Sequence, residues 1–227
     1  MKYKNIKHGI FKKRINRFVA EIVIDGVTEK CHVKNTGRCG ELFVVGADVL
    51  VQECDGGNRK TKYDLISVYK DDKLFNVDSQ SPNKVVNEFL QSGGLFEKIM
   101  LIKPETKYKN SRFDFYVETE TEKAFIEVKG VNLVIDGVAY FPDAPTDRGV
   151  KHIKELCECV KDGYNAYVIF VVQTAGVYSV MPNYDTHIEF AKTLEYVANN
   201  GVKVLAYNSR VGEDFTVINE KIDVSFR

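Results

Sequence analysis

The sequence predicts a two-domain α/β protein, a small all-β module followed by a mixed sheet flanked by helices. Three observations carry this. Residues 12–78 hold short β-rich runs broken by turns roughly every ten residues, the rhythm of a small barrel or sandwich. At Ser81-Pro82 the pattern becomes helical. From residue 99 strands come first in succession and then alternate with helices, which gives a sheet covered by helices. A chain of 227 residues suits one large domain or two small ones, and the change of pattern sets the expected domains at 1–80 and 81–227.

In order, "INRFVAEIVIDGVTEKCHV" is a hairpin around Asp25-Gly26. "ADVLVQE", "KTKYDLISVYK" and "KLFNVD" are further strands, the last two joined by an acidic turn at Asp71-Asp72. Between them "KNTGRCGEL" is a Gly-bearing loop with Lys34 and Arg38. It is either a plain turn or a cradle of backbone N–H groups for phosphate. "SPNKVVNEFLQSG" is a short helix with Ser81 as a cap, an early Pro82, apolar residues at 85, 86, 89 and 90, and a closing Gly93. "IMLIKPETKY", "RFDFYVET" and "KAFIEVKGVNL" are strands. A helix over 146–162 follows, apolar at 153, 156, 157 and 160, with Thr146 as N-cap and Gly163 as its end. "AYVIFVVQ", another helix and "VKVLAY" complete the sheet.

Hydrophobic residues make up 44% and charged residues 28%, as in ordinary globular proteins. No apolar run approaches the roughly 18 residues of a membrane helix, and the Lys-rich N-terminus lacks the apolar core of a signal peptide. The five cysteines, at 31, 39, 54, 157 and 159, are odd in number and form no C-x-x-C pair. Reduced thiols in a cytoplasmic protein are therefore expected, with no membrane partner. Residues 1–63 hold 13 Lys and Arg against 7 Asp and Glu, while the remainder holds 19 against 25. Such a basic first third is either a solvated face or the footprint of a polyanion.

The chemistry concentrates in "SRFDFYVETETEKAFIEVKG". If Glu118 pairs with Lys123 across a hairpin, Asp114 falls opposite Glu127, with Cβ atoms about 5 Å apart. Phe113, Phe115 and Val117 then point to the other face as core. Glu127 and Lys129 share one face, because side chains two apart in a strand do. Two carboxylates that close repel unless a cation lies between them, and oxygen ligands suit Mg²⁺ or Mn²⁺. Asp114, Glu127 and the Val128 carbonyl are the expected ligands. Lys129 would hold the attacking water or steady a phosphoryl group. The plainer alternative is a surface salt bridge between Glu127 and Lys129.

Asp114 with Glu127-Val128-Lys129 resembles the signature of the PD-(D/E)xK nucleases. "HVKNTGRCGEL", "RKTKYDL", "SRFDF", "IEVKGVNL" and "FPDAPTDRGVKHIKEL" resemble the SfsA family, the sugar fermentation stimulation proteins, over nearly the whole chain. The resemblance implies an N-terminal OB-like barrel that binds DNA and a nuclease-like C-terminal domain. It implies metal ligation by Asp114 and Glu127, with Lys129 catalytic. The chain departs from the family pattern at Lys34, where a Pro is usual, near Cys39 and Lys109, and at Gly130 and Asn132, where "VKSVTL" is usual.

Within those stretches Lys34, Asn35, Arg38, Arg59 and Lys60 are expected nucleic-acid contacts from the barrel. Arg112, Arg148 and His152 are expected from the second domain, with Arg112 alternatively a charge partner for Asp114 and His152 alternatively structural. Arg148, Lys151, His152 and Glu155 occupy the helix side away from its apolar stripe. Glu88 is a candidate extra acid, and Gln173, ending its strand, is expected at the same cleft. Tyr140 and Tyr178 lie near loops, available for base stacking or core packing. The resulting expectation is a DNA-binding protein with a Mg- or Mn-dependent nuclease site, contacting mainly phosphates with weak sequence preference. The alternative is a non-catalytic DNA-binding regulator of sugar-utilisation genes.

Overall fold

The computed structural model describes residues 1–35, 37–54 and 59–227. Its N-terminal third is a closed five-stranded barrel. Strands β1 (Ile6–Asn16), β2 (Val19–Ile24), β3 (Val27–Val33), β4 (Asp48–Glu53) and β5 (Tyr63–Lys70) run in the order β3-β2-β1-β4-β5, and β3 closes the ring by pairing in parallel with β5. β6 (Lys73–Asn76) extends β5 as a hairpin. The Asp25-Gly26 turn has positive φ at both residues, 51° and 78°, as a tight hairpin of the right twist requires. Asp71 and Asp72 do the same at φ 48° and 59°.

One strand is longer than expected: β1 begins at Ile6 rather than near residue 12. Only Gly9 and Phe11 along it are buried, and its other positions are mostly Lys, His and Arg, so alternation is nearly silent in the sequence. At Gly9 a Cβ would lie 2.7 Å from the Ile22 side chain, so glycine is needed where the strands press together.

The remaining two thirds of the chain is built on a nine-stranded mixed sheet. β7 (Ile99–Tyr108), β8 (Ser111–Thr119) and β9 (Lys123–Val131) form an antiparallel meander. β9 then pairs in parallel with β12 (Asn165–Val172), and β12 with β14 (Lys203–Val211). β15 (Thr216–Val224), β13 (Ser179–Pro182), β11 (Val138–Phe141) and β10 (Val134–Ile135) complete it. α1 (Ser81–Gln91) covers one face, burying Val85, Val86 and Leu90 against Ile126, Val128 and Ile169. α2 (Asp147–Lys161) and α3 (Ile188–Asn199) cover the other, where Ile153, Leu156 and Phe190 meet Phe125, Val168 and Phe170. Thr146 caps α2, its hydroxyl accepting from Gly149 N at 3.1 Å, and Gly163 sits just beyond the helix at φ 88°.

Ser81 does not cap α1. Gln80 occupies that position without a side-chain bond, and the Ser81 hydroxyl joins a buried polar knot between barrel and sheet. There Gln173 Nε2 donates to Asn76 Oδ1, Ser81 Oγ and the Asp78 carbonyl at 3.0–3.2 Å. The Gln173 carbonyl accepts from Asn76 N, and Asn132 Nδ2 donates to the Asn76 carbonyl at 2.7 Å. This network of buried amides ties the barrel to the sheet. All five cysteines are free thiols. Among the described residues no helix is long and apolar enough to cross a membrane.

Candidate active site

The β8–β9 hairpin pairs Glu118 with Lys123 and runs to Phe115↔Ile126. There the ladder stops. Phe113 and Tyr116, three residues apart, both pack on Phe125, which a regular alternation forbids. Phe113 therefore lies on the α2 side of the sheet, while Phe115 and Val117 pack on the α1 side, correcting the expectation that all three share one face. The break falls at Asp114. Its Oδ2 takes the place of a backbone carbonyl and accepts from Val128 N at 2.7 Å.

Two helices hold the carboxylates from opposite faces. From α1, Asn83 Nδ2 donates to Asp114 Oδ1 at 2.7 Å. From α2, His152 Nδ1 lies 2.6 Å from Glu127 Oε1, which also accepts from Lys129 Nζ at 2.6 Å. Arg148 Nε lies 3.4 Å from His152 Nε2. The pair of contacts fits the tautomer with its hydrogen on Nδ1. The sequence pattern puts His152 on the polar side of its helix, yet it is only 7% exposed and turned onto Glu127, while Arg148 stays in solvent.

Burial and then the neighbouring Glu127 charge push the Asp114 carboxyl up to about 6, against the pull of Val128 N–H, Asn83 and Lys129. Burial acts on Glu127 in the same direction, but His152 and Lys129 outweigh it and hold that carboxyl below its ordinary value. Glu127 Oε2 is buried with no hydrogen-bond partner. A buried, unpartnered carboxylate oxygen beside a second carboxylate is a donor set for a hard divalent cation. Strand residues turn N–H and C=O to the same edge, so the Val128 carbonyl faces this gap too. Among the described residues no group of three or more His, Cys, Asp or Glu side chains is arranged around one metal position, so a cation here would rely on the two carboxylates, that carbonyl and water.

The remaining expected contacts scatter. Lys34 is tied to Asp64 and Asp78 at 3.2 and 3.1 Å, and Arg59 also pairs with Asp64. Asn35 is buried, bonded to Asn132 and to Gly37 N. Arg38, Lys60 and Arg112 are exposed. Glu88 pairs with the Met1 amine instead of joining the carboxylates. Gln173 is in the polar knot. Asn83 was not foreseen; the one signal for it was its place in the first turn after Pro82, which does not reveal its partner.

Two family models match the chain: the SfsA N-terminal OB domain over residues 13–77, and the Sugar fermentation stimulation protein RE domain over residues 80–215. The chain belongs to the SfsA family. SfsA-family relatives include a Sugar fermentation stimulation protein homolog of Ruminiclostridium cellulolyticum, 55% identical over 99% of both chains. Another, from Desulfitobacterium hafniense, is 52% identical over 94% of this chain and 93% of its own. The structure of Pyrococcus furiosus SfsA in complex with Ca²⁺ superimposes with a TM-score of 0.91 at 27% identity, covering 99% of this chain and 98% of that one. The barrel is thus an OB domain, and its closure and the mixed sheet follow the SfsA fold.

Proposed function

We propose that this protein is a metal-dependent nuclease that hydrolyses phosphodiester bonds, with the OB barrel holding nucleic acid largely through its phosphates. The observation that carries the reading is the pair of carboxylates, half-buried Asp114 and buried Glu127, with Glu127 Oε2 left free and Lys129 against the same side chain. Asp114, Glu127 and the Val128 carbonyl would hold Mg²⁺ or Mn²⁺. Bound there, the cation would supply Lewis acidity and a more acidic water. Asn83 and Val128 N–H fix the Asp114 carboxylate, and His152 fixes Glu127. Lys129 places a positive charge where negative charge develops on the phosphoryl oxygens, and orients the nucleophilic water. Arg148 and Arg112, exposed beside this cluster in sequence, supply cations for the flanking phosphates. The Ca²⁺ complex of the Pyrococcus relative supports a divalent cation in this fold.

The test is cleavage of labelled single- and double-stranded DNA and RNA with Mg²⁺, Mn²⁺ or EDTA. Cleavage that needs metal and is lost in Asp114→Asn and Lys129→Ala is the expected result. Binding without cleavage under every metal, unchanged in both variants, would refute the enzyme and leave a DNA-binding protein.

A further inference from the structure

Where the barrel meets the sheet lies a polar notch of about 110 Å³. Both halves of the chain build it. Asn35 comes from the barrel, Gly130 and Asn132 from the C-terminal end of β9, Gln173 from the end of β12, and Tyr140 and Asp143 from β11 and the loop leading into α2. Asp114 and Glu127 are not in its lining, yet Gly130 is three residues along β9 from Glu127, about 10 Å of strand.

Several features say what fits. The volume is far below the roughly 300–1,000 Å³ of sites that enclose a whole drug-sized ligand, so the notch takes one small group of something larger. No Lys, Arg or His lines it and Asp143 does, so the group is not a phosphate. The amides are set in advance: Asn35 Nδ2 donates to Asn132 Oδ1 at 3.2 Å, and Asn132 Nδ2 to the Asn76 carbonyl at 2.7 Å. Asp143 Oδ2 is steadied by Arg38 N at 3.2 Å and keeps acceptor capacity. Gly130 leaves the floor open, since a Cβ there would lie 2.8 Å from Gln173 Oε1. Tyr140 offers a half-buried ring as a wall.

We propose that this notch receives a single unpaired nucleobase bearing an exocyclic amino group, from a nucleotide close to the phosphate engaged at the carboxylates. The amino group donates to Asp143, and the ring lies against Tyr140. A base pair does not fit, so the substrate presents a single strand or an extruded base there. This inference rests on the nuclease reading above, and its test separates the two.

The test is equilibrium binding of the full chain in EDTA, so that nothing is cleaved, to a short all-thymidine strand and to the same strand with one central deoxycytidine or deoxyguanosine. The amino-bearing strands should bind about tenfold tighter or more, the discrimination one good base contact gives. Asp143→Asn keeps an acceptor for Arg38 N–H while offering an amide N–H₂ to thymine carbonyls, so the preference should disappear or reverse with thymidine binding retained. Tyr140→Ala should weaken the amino-bearing strands towards the all-thymidine value. Equal affinity for all strands, or a preference untouched by Asp143→Asn, overturns the notch proposal and leaves the nuclease reading standing. No binding of any strand also overturns the notch proposal, while the nuclease reading is decided separately by the cleavage assay with Mg²⁺ or Mn²⁺.

Discussion

Replacing Asp114 by Asn should make the metal-free protein more stable. Burial and Glu127 raise the Asp114 carboxyl from 3.8 to about 6. A shift of roughly two units amounts to about 3 kcal/mol by which the charged form is disfavoured in the folded protein at neutral pH. An amide of the same shape removes that charge and can keep both contacts: its oxygen accepts from Val128 N, and its N–H₂ donates to Asn83 once that side chain is flipped. Allowing for the loss of charge-strengthened bonds, a net gain of roughly 2 kcal/mol remains. For a chain of this size that is about 4–8 °C in Tm. The folded protein holds the proton up to about pH 6 and the unfolded chain releases it near pH 4, so the penalty is full above pH 6 and vanishes as pH falls towards 4. Thermal denaturation in EDTA at about pH 7.5 and about pH 4.5 should therefore show a gap that closes on acidification. A variant no more stable than the parent at the higher pH, or a gap that does not shrink, would refute the account of a strained carboxylate pair.

Mn²⁺ at a hundredfold excess over its Kd should stabilise the parent by about 2.7 kcal/mol, read as a rise in Tm; Asp114→Asn and Glu127→Gln should show no rise. Asn83→Ala leaves Asp114 only the Val128 N–H, so its carboxyl climbs further, and the pH below which Mn²⁺ binding fades should move upwards in a calorimetric titration. Gly130→Ala drives a Cβ to within 2.7 Å of the Pro82 ring and 2.8 Å of Gln173 Oε1, and should destabilise by about 1–3 kcal/mol in urea unfolding, because the proline ring is rigid and the Gln173 amide is anchored through its Nε2.

Local rules made much of this molecule legible. Asp25-Gly26, the Thr146 cap and the Glu118–Lys123 closure each follow from a few neighbouring residues, and the structure has them. What stayed hidden depends on distant partners. Phe113 changes face because Asp114 inserts into the ladder, and pairwise alternation has no term for that. His152 reads as polar-side on its helix, yet Glu127 draws it inwards. Ser81 looks like a cap, but Gln173, ninety-two residues on, claims its hydroxyl. Lys34 reads as a free phosphate contact until Asp64 and Asp78 converge on it from two other segments.

The hairpin that carries the two carboxylates also separates chemistry from numbering. Its tip is a self-contained knot, with Thr119 N bonded to the Glu122 carbonyl and the Thr119 hydroxyl accepting from Thr121 N and Glu122 N. Below the tip, the rungs from Glu118↔Lys123 to Phe115↔Ile126 hold the register. A peptide or fluorophore spliced between Glu120 and Thr121 would lengthen the text between the motif's two halves without moving them in space. The same feature makes the tip a port through which this site can be observed from outside.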